Sequence, residues 1–316
     1  MRSSLVIGAA GFVGGYLTEH LMALGDEVYA TKLPSEEIHK PCNIRNLDIL
    51  DSDAVFRLIS EVKPDRIFHL AAQSSVAVSW EKPALTAQIN VVGTINVLEA
   101  VRKAAPQAVV LLIGSSEEYG RVSSPNGVIS ENQPLNPANI YAVTKAAQNN
   151  IGEIYHSAYG MNIISTRAFN HFGPGQLPQF VVSDFCRQTA EIEKGMRKPE
   201  ISVGNLSARR DFTDVRDIVR AYAMLAEKGK YGQTYNVGSG KAVEIRSILE
   251  LILSLSSARI TVRNDPSRMR PSDVPEIRAD ISRIVSDIGW KPQIDIRDTV
   301  SDTLDYWRRR CDSENN

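Results

Sequence analysis

The chain is 316 residues long, 43% hydrophobic and 23% charged, with a formal net charge of −1. This length suits a nucleotide-binding core with a smaller lobe, and the balanced charge offers no global positive field to draw in nucleic acid. Its three cysteines, Cys42, Cys186 and Cys311, make neither a CxxC pair nor a zinc-ligand spacing, so no metal site is expected and a reduced, cytoplasmic protein is the simple reading.

The N-terminal run MRSSLVIGAAGFVGG holds one Arg and a short apolar stretch broken by glycines, which reads as a buried strand and not as a signal peptide. No apolar stretch is read as approaching the ~20 residues of a bilayer span, so no membrane contact is expected. Ser4 to Ile7 is the first predicted strand, and Gly8 to Gly15 a glycine-rich turn. From Phe12 to Leu24 apolar residues recur at helical spacing until Gly25 stops the helix. Glu27 to Thr31 reads as a strand, Asp51 to Glu61 as a helix with Val55, Leu58 and Ile59 on one face, and Arg66 to Leu70 as a strand. A long helix from Ala87 to Ala104 precedes the apolar strand Ala108 to Ile113, whose composition suits a strand covered on both faces. Tyr141 to Tyr159 is a helix and Asn162 to Arg167 the strand after it. This alternation predicts an α/β fold with a doubly wound parallel sheet. Beyond residue 170 the pattern loosens into loops rich in Pro, Gly and Arg. The expected division is a dinucleotide-binding domain over 1–170, with a segment near 211–237 returning to it, and a smaller α/β substrate lobe over 171–316.

Gly8-Ala9-Ala10-Gly11-Phe12-Val13-Gly14 has the form GxxGxxG between the first strand and helix. Glycine lets the backbone approach a pyrophosphate, and the helix start aims N–H groups at the anion. Gly8, Gly11, Phe12, Val13 and Gly14 are therefore candidate cofactor contacts, together with Leu70, Ala71 and Ala72 at the end of another strand. An NAD site commonly has an acid ending the second strand, for the ribose 2′-hydroxyl. Here that strand ends Ala30-Thr31-Lys32. A lysine suits a 2′-phosphate, so NADP(H) is favoured over NAD(H), unless Lys32 is simply a solvated residue. Asp48 is a candidate acceptor for the adenine amino group, or else a turn or capping residue.

Tyr141 and Lys145 form YxxxK, a spacing that puts both side chains on one helical face. A Tyr beside an ammonium should have its pKa lowered and can exchange a proton with a ketone or alcohol oxygen. The same Lys can reach the cofactor's ribose hydroxyls. Ser115, in Gly114-Ser115-Ser116-Glu117, follows the apolar strand at its carboxyl end, where ligands of parallel sheets bind. It is placed to hold the substrate oxygen that Tyr141 protonates.

These motifs, with His69-Leu70-Ala71-Ala72, resemble the extended short-chain dehydrogenase/reductase family over nearly the whole chain. The resemblance implies Ser115, Tyr141 and Lys145 as the catalytic triad. It also puts Glu117 where sugar-nucleotide dehydratases of the family carry a general base. Further on, Phe169-Asn170-His171-Phe172-Gly173-Pro174-Gly175-Gln176, Val203 to Leu206, Arg210 to Asp217 and Met269 to Ser272 resemble the GDP-4-keto-6-deoxy-mannose reductases, whose nearest relatives are the GDP-mannose 4,6-dehydratases. A nucleotide-sugar substrate is implied, with nucleotide-binding roles on Asn170, Arg210 and Arg270, and Ser116, Glu117 and Val181 added to the substrate site. Guanidinium forks suit pyrophosphate oxygens, although Asp211 could instead pair with Arg210, and Arg209 reads as solvated. The resemblance further implies a homodimer built on a four-helix bundle from 87–104 and 141–159. The run at 169–176 and Ser115, where the dehydratases usually have Thr, favour a reductase. Glu117 keeps a 4,6-dehydratase open, and a C4 epimerase or a non-catalytic dinucleotide sensor are further readings. The five His residues, 20, 39, 69, 156 and 171, show no HxH or HxxxH pair, and Trp80, Trp290 and Trp307 read as core or interface.

Overall fold

A computed structural model of the chain describes residues 1–121, 127–268 and 276–314. Strand β1 (Ser3–Ile7), helix α1 (Phe12–Ala23), β2 (Glu27–Lys32), β3 (Asn43–Asn46), α2 (Ser52–Val62) and β4 (Arg66–His69) open the chain. Next come α3 (Val76–Glu81), α4 (Pro83–Ala87), a π-helical turn (Gln88–Val92), α5 (Gly93–Ala104), β5 (Val109–Ser115) and β6 (Val128–Ile129). The middle of the chain is α6 (Ile140–Tyr159), β7 (Ile163–Ala168), β8 (Asn170–Phe172), α7 (Val181–Glu193), β9 (Glu200–Val203), β10 (Arg209–Asp214), α8 (Val215–Lys228) and β11 (Thr234–Val237). It closes with β12 (Ala242–Glu244), α9 (Ile245–Ser254), β13 (Thr261–Asn264), β14 (Glu276–Ala279), α10 (Ser282–Ile288) and α11 (Ile296–Glu314).

Seven strands form one parallel sheet in the order β11-β7-β5-β4-β1-β2-β3. The order reverses between β1 and β4, so the chain diverges there and leaves a crevice at the carboxyl ends of the strands. One face packs Leu17 and Leu21 of α1 against Ile218, Tyr222 and Leu225 of α8. The other packs Val55, Leu58 and Ile59 of α2 against Val97, Leu98 and Val101 of α5. Covered on both sides, β5 buries Val110, Leu111 and Leu112 completely, which is why its sequence is continuously apolar and not alternating. A second sheet has the order β12-β10-β14-β6, with β8 beside β10.

The helix expected from Ala87 is longer than periodicity indicates. It begins at Pro83, passes through the π-helical turn and ends at Ala104. At 22 residues it is long and apolar enough, by length and composition, to cross a membrane, which corrects the sequence reading that no stretch approaches that length. Its inner side, Thr86, Asn90, Gly93, Thr94, Val97, Leu98, Ala100 and Val101, is nonetheless buried in this fold. Thr86 and Asn90 are polar, and both hold the Gln73 loop by hydrogen bonds.

Candidate active site

The glycine turn is dictated by close approach. Gly8 has φ +89°, and a Cβ on it would stand 2.7 Å from the Ala71 nitrogen. A Cβ on Gly14 would lie 2.7 Å from Ala9 Cα. Gly11 is under no such pressure, with its nearest neighbour at 3.4 Å. It is exposed, and it starts α1 without a side-chain cap, so the first N–H groups of the helix are left for an anion. The N–H groups of Leu70 and Ala71 both donate to Ile7 O at 2.9 Å, drawing the end of β4 against the end of β1. Gly8 N–H donates to Thr31 Oγ1 (3.1 Å) and Ala9 N–H to Thr31 O (2.9 Å). A tight turn whose exposed Gly11 stands at an uncapped helix start fits a dinucleotide pyrophosphate. Val13 is half-buried, and the Phe12 ring stacks parallel to His171 at 6.5 Å, tying the first turn of α1 to the run after β7. Lys32 lies at the end of β2, half-buried, with Nζ donating to Leu33 O at 3.3 Å. Asp48 is exposed beyond β3 and accepts the Leu50 N–H (2.9 Å) in a local turn. Asp51 is the residue that caps α2.

Ser115 is the last residue of β5 and the N-cap of the short 3₁₀ turn Ser116–Tyr119. Its Oγ accepts the Glu117 N–H at 3.2 Å, so its own hydrogen is free to point elsewhere. Ser115 is close enough to Tyr141 to lower the phenol's pKa. Tyr141 is 9% and Lys145 3% exposed, one turn apart on α6. Burial pushes the Tyr141 phenol up to about 12, against the pull of Ser115, while the nearby Glu118 and Glu117 charges raise it further. The lowering expected from a neighbouring ammonium does not occur. Lys145 Nζ is instead directed at Ile113 O (2.8 Å) and Gln148 Oε1 (3.0 Å). Burial brings that amine down to about 8, with Glu118 opposing. Helical spacing placed the two residues on one face but did not fix where the lysine head points.

Behind this pair lies a buried polar layer that motif reading missed. Glu118 is fully buried, and its Oε1 accepts the Ser115 N–H (2.8 Å). Its other contacts are Asn149 Nδ2 (2.9 Å) and Arg167 Nε (3.0 Å). Burial raises Glu118, and the Arg167 guanidinium is the largest influence against it. Gly114 must be glycine because a Cβ would run into Glu118 Oε1 and Asn149 Nδ2. On the other side, Asn90, turned inward by the π-helical turn, donates to Thr144 Oγ1 (2.9 Å) and accepts the Gln73 N–H (2.8 Å). His69 is buried against Thr94 (3.0 Å), and burial takes it down to about 3, so it is neutral. The only sequence signals for this layer were the second acid of Ser116-Glu117-Glu118 and an Arg at the end of an apolar strand.

Glu117 is exposed, and its Oε2 accepts from Asn139 Nδ2 at 3.0 Å. Ser116 is half-buried. Asn170 is exposed on β8, and Arg210 is half-buried on the adjacent β10, where Asn170 is in register with Phe212. Asp211 is not the partner of Arg210. It is 1% exposed and accepts from Ser239 N (2.7 Å), Ser239 Oγ (2.6 Å), Gly240 N (2.9 Å) and Ala279 N (2.9 Å). Alternation along β10 sends it to the opposite face. Arg209, read as solvated, pairs with Glu276 Oε2 at 2.8 Å and donates to Ala242 O at 2.9 Å. Val181 is 36% exposed at the start of α7. Arg270 lies outside the described residues. The structure thus brings Ser115, Tyr141, Lys145 and Glu117 together, and sets Asn170 and Arg210 side by side on a separate sheet.

The chain matches the GDP-mannose 4,6 dehydratase family over residues 5–303. It is 33% identical to the GDP-6-deoxy-D-mannose reductase of Pseudomonas aeruginosa over 309 residues, 98% of each chain. It is 32% identical to the UDP-glucose 4-epimerase of Mycolicibacterium smegmatis, over 97% of this chain and 99% of that one. Its fold is similar to the solved structure of RMD from Pseudomonas aeruginosa complexed with NADPH, with a TM-score of 0.86 at 32% identity, covering 98% of this chain and 100% of that one.

Proposed function

The chain belongs to the GDP-mannose 4,6 dehydratase family, and from that premise we propose that it is an NADPH-dependent reductase of GDP-4-keto-6-deoxy-D-mannose, converting the C4 ketone to an alcohol and giving the rhamnose or talose epimer. The likeness to a GDP-6-deoxy-D-mannose reductase over 98% of both chains carries this reading, with Ser115 ending β5 and the buried Tyr141 of α6 as the place for the ketone. Reduction of a ketone needs a proton donor in the resting enzyme, whereas a reaction that begins by oxidising an alcohol needs a base there. The reduced dinucleotide, with its pyrophosphate on the Gly8–Gly14 turn, would supply the hydride. Tyr141 gives its proton to the C4 oxygen. Ser115, whose Oγ is already engaged as acceptor of the Glu117 N–H, donates its own hydrogen to the same oxygen and orients it. Lys145 holds the nicotinamide ribose, and Lys32 the 2′-phosphate. Asn170, Arg210, Arg270, Val181 and Ser116 contact the sugar nucleotide, the arginines on its pyrophosphate.

A second reading, a 4,6-dehydratase acting on GDP-mannose, is favoured by one observation, the exposed Glu117 carboxylate beside the reacting pair. The two separate on mixing. Loss of NADPH absorbance in proportion to added GDP-4-keto-6-deoxy-D-mannose is expected. Conversion of GDP-mannose to the keto sugar without net cofactor use would move the assignment to the dehydratase.

With this activity we place residues 1–170 and the returning segment near 211–237 in the cofactor domain, most of 171–316 in the substrate lobe, and the protein in the cytoplasm. We also assign it a homodimer through α5 and α6. Val143, Ala147, Asn150 and Ile154 recur on α6 at intervals of three or four residues, and all four are exposed or half-buried. Val143, 48% exposed, and Ile154, 61% exposed, are the large apolar residues on this face.

A further inference from the structure

Asn139 joins two parts of the site by one side chain. It is the N-cap of α6, two residues before Tyr141, and its Oδ1 accepts the Ala142 N–H at 2.8 Å. Its Nδ2 donates to Glu117 Oε2 at 3.0 Å, across to the turn that follows β5. The amide cannot be reversed without losing both bonds, because the helix start offers a donor and Glu117 offers only acceptors. Ser or Asp would cap the helix as well as Asn. Asp brings no N–H, and a Ser hydroxyl sits on a side chain one bond shorter. Asn139 thus makes one bond beyond its cap, and Ser or Asp would not reproduce it.

The partition of the two acids on the turn supports this. Glu118 points inward, fully buried, to Arg167 and Asn149. Glu117 points outward and, among the described residues, meets an amide and no cation. A carboxylate fixed by one amide donor keeps lone pairs for a further donor. It stands next in sequence to Ser116 and within electrostatic reach of the Tyr141 hydroxyl, where the sugar ring must lie if C4 is reduced there.

We propose that Asn139 is a positioning residue that fixes Glu117 to accept a hydrogen bond from the sugar hydroxyl neighbouring the reacting carbonyl. This deepens, and rests on, the sugar-nucleotide reading above. It gives Glu117 a recognition role, in which loss of the carboxylate weakens sugar binding and leaves proton transfer to Tyr141.

The test is a double-mutant cycle of Asn139→Ser and Glu117→Gln, read by calorimetric binding of GDP and of GDP-mannose, or of UDP and UDP-glucose if only the uracil pair binds. The ratio of the two dissociation constants isolates what the sugar contributes. Asn139→Ser keeps a helix cap, so the fold should persist, and circular dichroism checks it. Each single variant is expected to lose about tenfold of the sugar contribution, with the affinity for the free nucleotide retained, as for one charged hydrogen bond misplaced. In the Glu117→Gln background, Asn139→Ser should add little, because it acts through Glu117. With keto sugar, KM should rise about as much as the sugar contribution falls, and kcat should change far less. Additive losses, or an unchanged ratio in Asn139→Ser, would overturn the proposal and reduce Asn139 to a cap. The binding ratio does not depend on turnover. A parent protein that fails to consume NADPH sinks the reductase reading while the cycle still decides Asn139.

Discussion

Tyr141 is buried beside Ser115 and carries the proton that the proposed reduction delivers, so its hydroxyl is the first atom to remove. Tyr141→Phe is expected to lower kcat by roughly 10²- to 10⁴-fold, the usual weight of a positioned acid, with sugar-nucleotide affinity nearly unchanged by calorimetry. Retained turnover would mean that another group donates. The same residues predict an unusual pH profile. Tyr141, raised to about 12, stays protonated across the working range. Lys145, lowered to about 8, is charged below that pH and neutral above it. If the charged amine holds the cofactor ribose, kcat/KM for NADPH should fall as pH rises through about 8. A profile flat to pH 10 would show that the charge on Lys145 is not needed.

Among the elements, the 3₁₀ turn after β5 depends most on tertiary partners. Its geometry is held by Glu118, which spans Ser115 N, Asn149 and Arg167. Removing Arg167 alone leaves a buried carboxylate without its cation, a loss of about 3–5 kcal/mol. Arg167→Met should therefore lower stability in urea by about that amount, and Glu118→Gln in the same chain should recover part of it. Simple additivity of the two losses would show that the pair is not coupled. The helix Pro83–Ala104 carries a comparable device. The π-helical turn adds one residue to a turn of helix and rotates Asn90 inward. Three- and four-residue periodicity in the sequence cannot reveal such a turn, which explains why the predicted helix starts at Ala87 and the hydrogen bonds of Asn90 were not foreseen.

At the scale of the whole molecule, the proposed dimer has a direct test. Paired Val143→Glu and Ile154→Glu substitutions put charge into the exposed face of α6 and should convert a dimer to a monomer by light scattering, with the circular dichroism of the parent. A parent already monomeric at micromolar concentration would exclude the interface. The seven-stranded sheet explains why residues distant in sequence meet. Parallel strands all end on one edge, so the turn after β1, the end of β4, Ser115 after β5 and the start of α6 converge there.

Local spacing made legible the alternation of strands and helices, the glycine turn, the end of β5 at Ser115, and Tyr141 and Lys145 one turn apart on α6. Gly8 and Gly14 are tight against the backbone of Ala71 and Ala9, while Gly11 is open. Tertiary structure alone decided which way the long polar side chains point. It turned Lys145 toward Ile113 O, sent Asp211 away from Arg210, paired Arg209 with Glu276, buried Glu118 against Arg167 and left Glu117 on Asn139. A backbone pattern follows from short-range sterics and burial. A charged side chain settles wherever desolvation and hydrogen bonds from several distant segments balance, and those segments are neighbours only after the chain has folded.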